Sequence, residues 1–125
     1  RLVRRSLDEA GARPPFSASS QHWSTLRALA RIAPEVDLYY SIDVPAKLDL
    51  FLSVAQRDTR PKGVSCNHRL LTRVVVDRMK QAGLQVVAWT VDDLDRAVEL
   101  RSWGVDGITT HRVAETRMRL CRAGA

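Results

Sequence analysis

The chain has 125 residues, of which 45% are hydrophobic and 27% are charged, a composition typical of one soluble globular domain. No apolar run approaches the roughly 20 residues that span a bilayer, so we expect no transmembrane segment. The net charge of +6 comes with no basic run interleaved with aromatic residues. We therefore expect solvated helix surfaces and no nucleic-acid partner.

The cysteines and the first residue add two further expectations. Cys66 and Cys121 have neither CxxC nor Cys/His metal spacing, which predicts a buried thiol at Cys66 and a free, mobile one at Cys121. Their number leaves the compartment open. The chain begins at Arg1 in what reads as the middle of a helix, which predicts that it is part of a longer polypeptide.

In its first half, the chain alternates predicted helices with predicted strands. A helix is expected over residues 2–10 and a short strand over 16–19. The next helix ends at Pro34, a strand spans 36–42, and Pro45 lies in the first turn of a third helix. The predicted buried faces of the second and third helices consist of Leu26, Leu29, Ala30, Ala33, Leu48, Phe51, Leu52 and Ala55.

The second half continues the same alternation. Its strands are predicted at 63–66, at 86–88 and around Ile108, and its helices end at Gly83, at Gly104 and near residue 120. Both glycines suit a left-handed helix end, and Asp92 or Asp93 suits the cap of the middle helix. The buried faces are predicted from Leu71, Val74, Val75, Met79, Ala82, Leu94, Ala97 and Val98.

Short buried strands that alternate with helices of about three turns predict βα units and a parallel sheet. Two architectures share that local pattern, an open doubly wound sheet and a segment of a (β/α)8 barrel. The chain has neither GxGxxG nor a P-loop, which weakens the first interpretation. Its regular units favour a barrel, but five strands are too few to close one.

Two segments carry a resemblance to a known family. Residues 85–92 read Gln-Val-Val-Ala-Trp-Thr-Val-Asp, and residues 104–110 read Gly-Val-Asp-Gly-Ile-Thr-Thr. Together they resemble the carboxyl-terminal part of glycerophosphodiester phosphodiesterases, in which Trp-Thr-Val-Asn/Asp is followed by a helix and Gly-Val-Asp-Gly-Ile-Ile-Thr-Asp. Ser19-Ser20 and Ala33-Pro34-Glu35 are also similar to the family, so the resemblance covers about residues 12–115.

The resemblance implies an α/β fold that is a partial (β/α)8 TIM barrel, with about strands 4 to 8, their helices and a parallel sheet. Residues 1–125 would then be the carboxyl-terminal part of a single barrel domain. It further implies a divalent metal, Mg or Ca, and catalytic histidines. The family's His-Arg-Gly and Glu-x-Asp motifs are missing from this sequence, so we expect no catalytic residue and no metal ligand here.

Trp89 is the strongest candidate for substrate binding. In a barrel it would point inward at a carboxyl strand end and form a wall of the pocket. The alternative is a tryptophan of the core. Asn67 and His68 follow the third readable strand, and His111 follows the last, so their side chains are weaker candidates for contact with a phosphate. His111 stands where the family has an aspartate.

Other polar and aromatic residues have simpler interpretations. Asp92 and Asp93 could form a carboxylate pair, but their place before a helix favours capping. Asp106 lies in a turn on the far side from the expected pocket and is interpreted as structural. His22 is expected in solvent at the start of a helix. Trp23 and Trp103 have helical positions and are expected to pack in the core.

Two functions remain open from the sequence. The first is a segment of a metal-dependent phosphodiesterase that hydrolyses glycerophosphodiesters to glycerol 3-phosphate and an alcohol, in which this part supplies pocket wall and barrel closure. The partners would be a small-molecule glycerophosphodiester and the missing amino-terminal half of the barrel. The second is a non-catalytic half-barrel or pseudoenzyme in an assembly, which would be an oligomer because open sheet edges must pair.

Overall fold

The structure, a computed structural model, describes residues 17–55 and 61–123. The helix predicted over residues 2–10 lies outside the described residues. Within the described ranges, no helix has both the length and the hydropathy needed to cross a membrane.

In the part of the chain that the structure describes, five parallel strands form one sheet. They are β1 (Ser17–Ser20), β2 (Asp37–Ile42), β3 (Gly63–Asn67), β4 (Gln85–Trp89) and β5 (Gly107–Ile108). Their order in the sheet, β1-β2-β3-β4-β5, is the order of the chain. A doubly wound sheet reverses direction at a switch point, whereas a barrel adds each strand on the same side. The observed order is therefore that of a barrel segment.

Helices connect consecutive strands in the manner that parallel pairing requires. A π-helical turn, Phe51–Ala55, follows the helix that begins at Pro45. A 3₁₀ turn, His68–Leu70, precedes the helix that begins at Arg73. The α-helices of the described ranges are α1 (Trp23–Ile32), α2 (Pro45–Leu50), α3 (Arg73–Gln81), α4 (Leu94–Ser102) and α5 (Val113–Ala123).

Local sequence signals set the helix ends. Pro45 is at the start of α2, and the hydroxyl of Thr72 accepts a hydrogen bond from the Val75 backbone N–H at the start of α3. Gly83 and Gly104 have φ angles of 81° and 100°, so they adopt the left-handed conformation predicted for them.

The sheet has one covered and one open face. Side chains alternate between the two faces along each strand. Tyr40, Val64 and Val86, one from each of three neighbouring strands, are fully buried under the helices, whereas Ser65 and Val87, the next residues along β3 and β4, are half-buried on the other face. The open face is the one that would line the inside of a closed barrel.

Aromatic packing fixes α1 and α2 on the covered face. The ring of Trp23 lies 5.0 Å from that of Tyr40 and 6.3 Å from that of Phe51, and Trp23 Nε1 donates to the Ser41 carbonyl at 3.3 Å. The core assignment of Trp23 is confirmed. Cys66 is buried on the same face, and burial raises the pKa of its thiol to about 12, while Cys121 is exposed.

One predicted helix face was partly wrong. Val74 and Ala82 were expected in the apolar face of α3, yet Val74 is 68% exposed and Ala82 is exposed as well. Met79 is buried as predicted, and Val76, which was not predicted, is buried with it. Leu71 is buried in the extended segment before the helix. The helix starts at Arg73, so the face that contacts the sheet is set by the spacing of Val76 and Met79, and Val74 is about 200° away from Val76.

Candidate functional site

The carboxyl ends of the five strands lie along one edge of the sheet, where parallel α/β proteins bind ligands. The strand ends at this edge and the loops that leave it contain all of the residues predicted to bind substrate. Below, the carboxyl edge denotes the strand ends Ser20, Ile42, Asn67, Trp89 and Ile108 together with the residues that follow them.

Trp89 is the last residue of β4 and is half-buried. Strand alternation places its side chain on the open face, because Val86 and Ala88 are buried on the covered one. In the register of β3 with β4 it is paired with Asn67. Trp89 therefore lies beside the carboxyl edge on the face that would line a barrel, and not in the helix-covered core.

Asn67 and His68 are held by local bonds. The side-chain oxygen of Asn67 accepts a hydrogen bond from the Arg69 backbone N–H at 3.1 Å and so caps the 3₁₀ turn. His68 Nδ1 accepts from Arg96 Nε at 3.3 Å. Partial burial, and then the Arg96 guanidinium, lower the pKa of His68. Any contact of this imidazole with a phosphate would have to use Nε2.

Sequence reasoning missed Arg96. Its Nη2 donates to the carbonyls of His68 and Leu71 at 2.6 and 3.2 Å, its Nη1 pairs with Glu99, and its guanidinium lies 5.0 Å from the ring of Trp103. This one side chain ties α4 to the loop after β3. The only signal in the sequence is the Arg–Glu spacing of three residues, which predicts a pair within the helix and not the loop contact.

Asp92 and His111 form a pair between the loops that follow β4 and β5. Asp92 Oδ2 lies 3.0 Å from His111 Nδ1, and Oδ1 accepts from the His111 backbone N–H at 2.8 Å and from Thr110 Oγ1 at 3.0 Å. The prediction of a helix cap applies to Asp93 instead, whose Oδ1 accepts from the backbone N–H groups of Asp95 and Arg96.

The two charges of this pair stabilise each other. The hydrogen bonds from the His111 side chain and backbone lower the pKa of Asp92 to about 2. In turn, the hydrogen bond to Asp92 and its negative charge raise the pKa of His111. The imidazole is 82% exposed, so the pair is open to solvent.

Asp106 lies at the opposite end of the sheet, as expected. Its carboxylate pairs with Lys80 Nζ at 2.7 Å and accepts from the Val86 backbone N–H at 2.8 Å. Both bonds fix the amino-terminal end of β4. The structural interpretation of Asp106 is therefore confirmed.

The loop after β1 contributes separate contacts. The His22 backbone N–H donates to Ser20 Oγ at 2.9 Å, and the His22 side chain is exposed, as expected. Lys47 Nζ lies 3.2 Å from Asp43 and donates to the Gln21 carbonyl at 3.3 Å. No contact joins His22 to the other candidate side chains in the described part of the chain.

The residues that the structure describes do not form a metal centre. Across residues 17–55 and 61–123, no three His, Cys, Asp or Glu side chains come together in a way that could hold a metal ion. Asp92 and His111 are only two such groups, and each is engaged by the other. The donor set at the carboxyl edge does not fit a divalent cation.

The sequence was compared with models of known families and with known proteins. The sequence model of the glycerophosphoryl diester phosphodiesterase family matches residues 2–115. YhdW of Bacillus subtilis (strain 168), named as a glycerophosphodiester phosphodiesterase, is 38% identical over 47 residues, which is 38% of this chain and 19% of YhdW.

Solved structures share the fold. A Silicibacter pomeroyi protein named as a glycerophosphoryl diester phosphodiesterase matches with a TM-score of 0.84 and 24% identity, over 98% of this chain and 43% of its own. An Oleispira antarctica phosphodiesterase, in complex with the product sn-glycerol-3-phosphate, matches with a TM-score of 0.74 and 19% identity, over 86% of this chain and 42% of its own. The chain spans less than half the length of these relatives. The fold is an α/β partial TIM barrel.

Proposed function

We infer the function of this chain from its family: it belongs to the glycerophosphoryl diester phosphodiesterase family. We propose that the complete protein hydrolyses glycerophosphodiesters to glycerol 3-phosphate and an alcohol, and that residues 1–125 are the carboxyl-terminal part of its single barrel domain. The observation that carries this proposal is the family match over residues 2–115, nearly the whole chain.

The geometry supports a role in substrate binding rather than in bond cleavage. Trp89 is half-buried at the end of β4 on the open face, where an indole offers a flat apolar wall to the alcohol or glycerol part of a substrate. Asn67, His68 and His111 lie along the same edge. In this proposal they border the pocket, and His68 contributes through Nε2 because Arg96 occupies Nδ1.

Metal chemistry is assigned to another part of the protein. A divalent ion such as Mg or Ca, when bound in a phosphodiesterase, polarises phosphoryl oxygens and stabilises developing charge. The described residues offer no group that fits such an ion. The proposal therefore gives metal binding and proton transfer to the amino-terminal half, and to this chain the pocket wall and the closure of the barrel.

An assay separates these roles. The 125-residue chain alone, given glycerophosphocholine and Mg²⁺ or Ca²⁺, is expected to release no glycerol 3-phosphate, because the proposal places the reacting groups elsewhere. The product of the complete reading frame that contains this chain is expected to release it. Turnover by the chain alone would contradict the division of roles, and no turnover by the complete product on any glycerophosphodiester would contradict the proposed activity.

A second candidate is a non-catalytic half-barrel that acts in an assembly. The observation in its favour is the free side of β5, where a cavity of about 470 Å³ lies between that strand and α5. The Thr116 hydroxyl faces this region, is only 4% exposed as a residue, and has no hydrogen-bond partner in the described part of the chain. A polypeptide that adds to β5 could fill the cavity and satisfy the hydroxyl.

A further inference from the structure

The Asp92–His111 pair presents one defined atom to the solvent. Asp92 Oδ2 engages His111 Nδ1, and Asp92 itself is fixed by the Thr110 hydroxyl and the His111 backbone N–H. The imidazole therefore has an orientation in which Nδ1 is engaged by Asp92, while Nε2 has no hydrogen-bond partner among residues 17–55 and 61–123. With 82% of its side chain exposed, His111 is accessible to a ligand from solvent.

We propose that His111 is a phosphate-contact residue, which donates its Nε2–H to a phosphoryl oxygen of a glycerophosphodiester or of glycerol 3-phosphate, and that Asp92 is its positioning residue. This inference rests on the proposed function for the identity of the ligand. Its geometric basis is independent of that function: β4 and β5 are neighbours in the sheet, so the loop that contains His111 leaves the strand next to the one that ends at Trp89.

Among the charged groups near the Asp92–His111 pair, the imidazolium of His111 is the one available to an anion. Arg112, at the start of α5, donates from Nη1 to the Asp92 carbonyl at 3.2 Å and from Nε to Glu115 at 2.5 Å, so a carboxylate already engages its guanidinium. In the described structure, the charged groups that hydrogen bonds connect to His111 are Asp92 from the loop after β4, Arg112 before α5 and Glu115 in the first turn of α5.

The contact has a defined pH dependence. Asp92 raises the pKa of His111, so the imidazolium persists to higher pH than that of an isolated histidine. Phosphate binding is then present below the pKa of the folded state and is lost as pH rises through it. In Asp92→Asn the negative charge is absent, so the pKa falls and the loss of binding moves to lower pH.

Nuclear magnetic resonance of the imidazole Cε1–H signals tests the proposal in the 125-residue chain. sn-Glycerol 3-phosphate and inorganic phosphate are each titrated across a pH series, with glycerol as the uncharged probe. We expect both phosphates, but not glycerol, to shift the His111 signal. Asp92→Asn should lower the His111 pKa and weaken phosphate binding roughly two- to five-fold, the range for an exposed ion pair. His111→Asn lacks this imidazole and so identifies which signal belongs to His111.

His22→Asn is the matched control, because His22 is also an exposed histidine beyond a strand end but has no carboxylate bound to its ring in the structure. It should leave the His111 titration and the phosphate response unchanged. The phosphate itself has a second ionisation at about pH 6. Its effect on binding is the same for all variants, so it cancels when the variants are compared. Circular dichroism shows whether each variant keeps its fold.

Two results would overturn the inference: phosphate shifts of equal size at His111 and His22, or an Asp92→Asn variant with an unchanged His111 pKa and phosphate affinity. The outcome is separable from the hydrolase proposal. A His111 response without turnover by the complete protein would refute only the hydrolase activity. Turnover without a His111 response would refute only the phosphate contact.

Discussion

At the scale of single residues, the tightest constraint is at Gly63, in the centre of the sheet. A Cβ atom at this position would overlap the Gln85 backbone oxygen and lie 2.9 Å from the Tyr39 ring. The space is used by Tyr39, whose hydroxyl donates to Gln85 Oε1 at 2.6 Å. Gly63 begins β3, the middle strand of the sheet, and permits close approach of β3 and β4.

Gly63→Ala is expected to lower the free energy of unfolding by about 1–3 kcal/mol, the usual range for overpacking, because the backbone oxygen of Gln85 cannot move without breaking the ladder. Urea denaturation followed by circular dichroism measures it. Gly107→Ala is the matched control, since its Cβ would meet only the Val87 side chain, with Cγ2 at 3.5 Å and Cγ1 at 3.8 Å, both ordinary contacts. Equal losses in the two variants would show that close approach is not the cause.

At the scale of elements, α4 connects two loops of the candidate site, the loop after β3 and the loop after β4. Asp93 caps the helix, and Arg96, one turn later, reaches the loop after β3. Farther along the chain, Arg119 of α5 pairs with Asp95 at 2.6 Å. The placement of His68 thus depends on how α4 begins, which links helix capping to the geometry of the carboxyl edge.

Asp93→Ala is expected to cost about 1 kcal/mol of stability, since two backbone N–H groups lose their acceptor. The His68 Cε1–H signal should move as well, because Arg96 is displaced from its ring. Asp93→Asn keeps the capping oxygen, so its stability should stay within a few tenths of a kcal/mol. If the alanine variant were as stable as wild type, the cap would not stabilise α4.

Capping and strand position were predictable from the sequence because both depend on neighbours within a few residues. A carboxylate before a helix, a glycine after one and a short apolar strand each act locally, and Asp93, Gly83 and β4 agree with them. The pairing of Asp92 with His111 across 19 residues, and of Arg96 with His68 across 28, has no local signal. Such contacts depend on the order of the strands.

At the scale of the whole molecule, the sheet ends at two strands that are each paired on one side only in the described structure, β1 and β5. Each carries backbone groups that can pair with another polypeptide. The family match explains them as edges that the rest of a barrel would cover, whereas the alternative function explains them as contacts between subunits. Under both explanations, the isolated chain exposes the unpaired sides of β1 and β5.

We therefore expect the isolated chain to self-associate, with a mass in analytical ultracentrifugation that rises with concentration. Ser19→Lys combined with Thr109→Lys places charge at both edges and should reduce that association. Ser24→Lys with Gln81→Lys adds the same charge at exposed helix positions and should not. A strictly monomeric wild-type chain would contradict the assembly function, and equal effects of the two pairs would indicate general charge repulsion.

The sequence by itself determined the alternation of strands and helices and the positions of most helix ends, because hydrophobic periodicity, capping and turn residues act over short distances. Residues 85–92 and 104–110 also carried the resemblance to the family. The sequence also placed Trp89 at the end of a strand. Only the tertiary structure decided that the strands follow chain order, that Trp89 is on the open face and that Asp92 holds His111. The physical reason is that these features depend on which strands are neighbours, and a parallel pair joins residues separated by a whole helix.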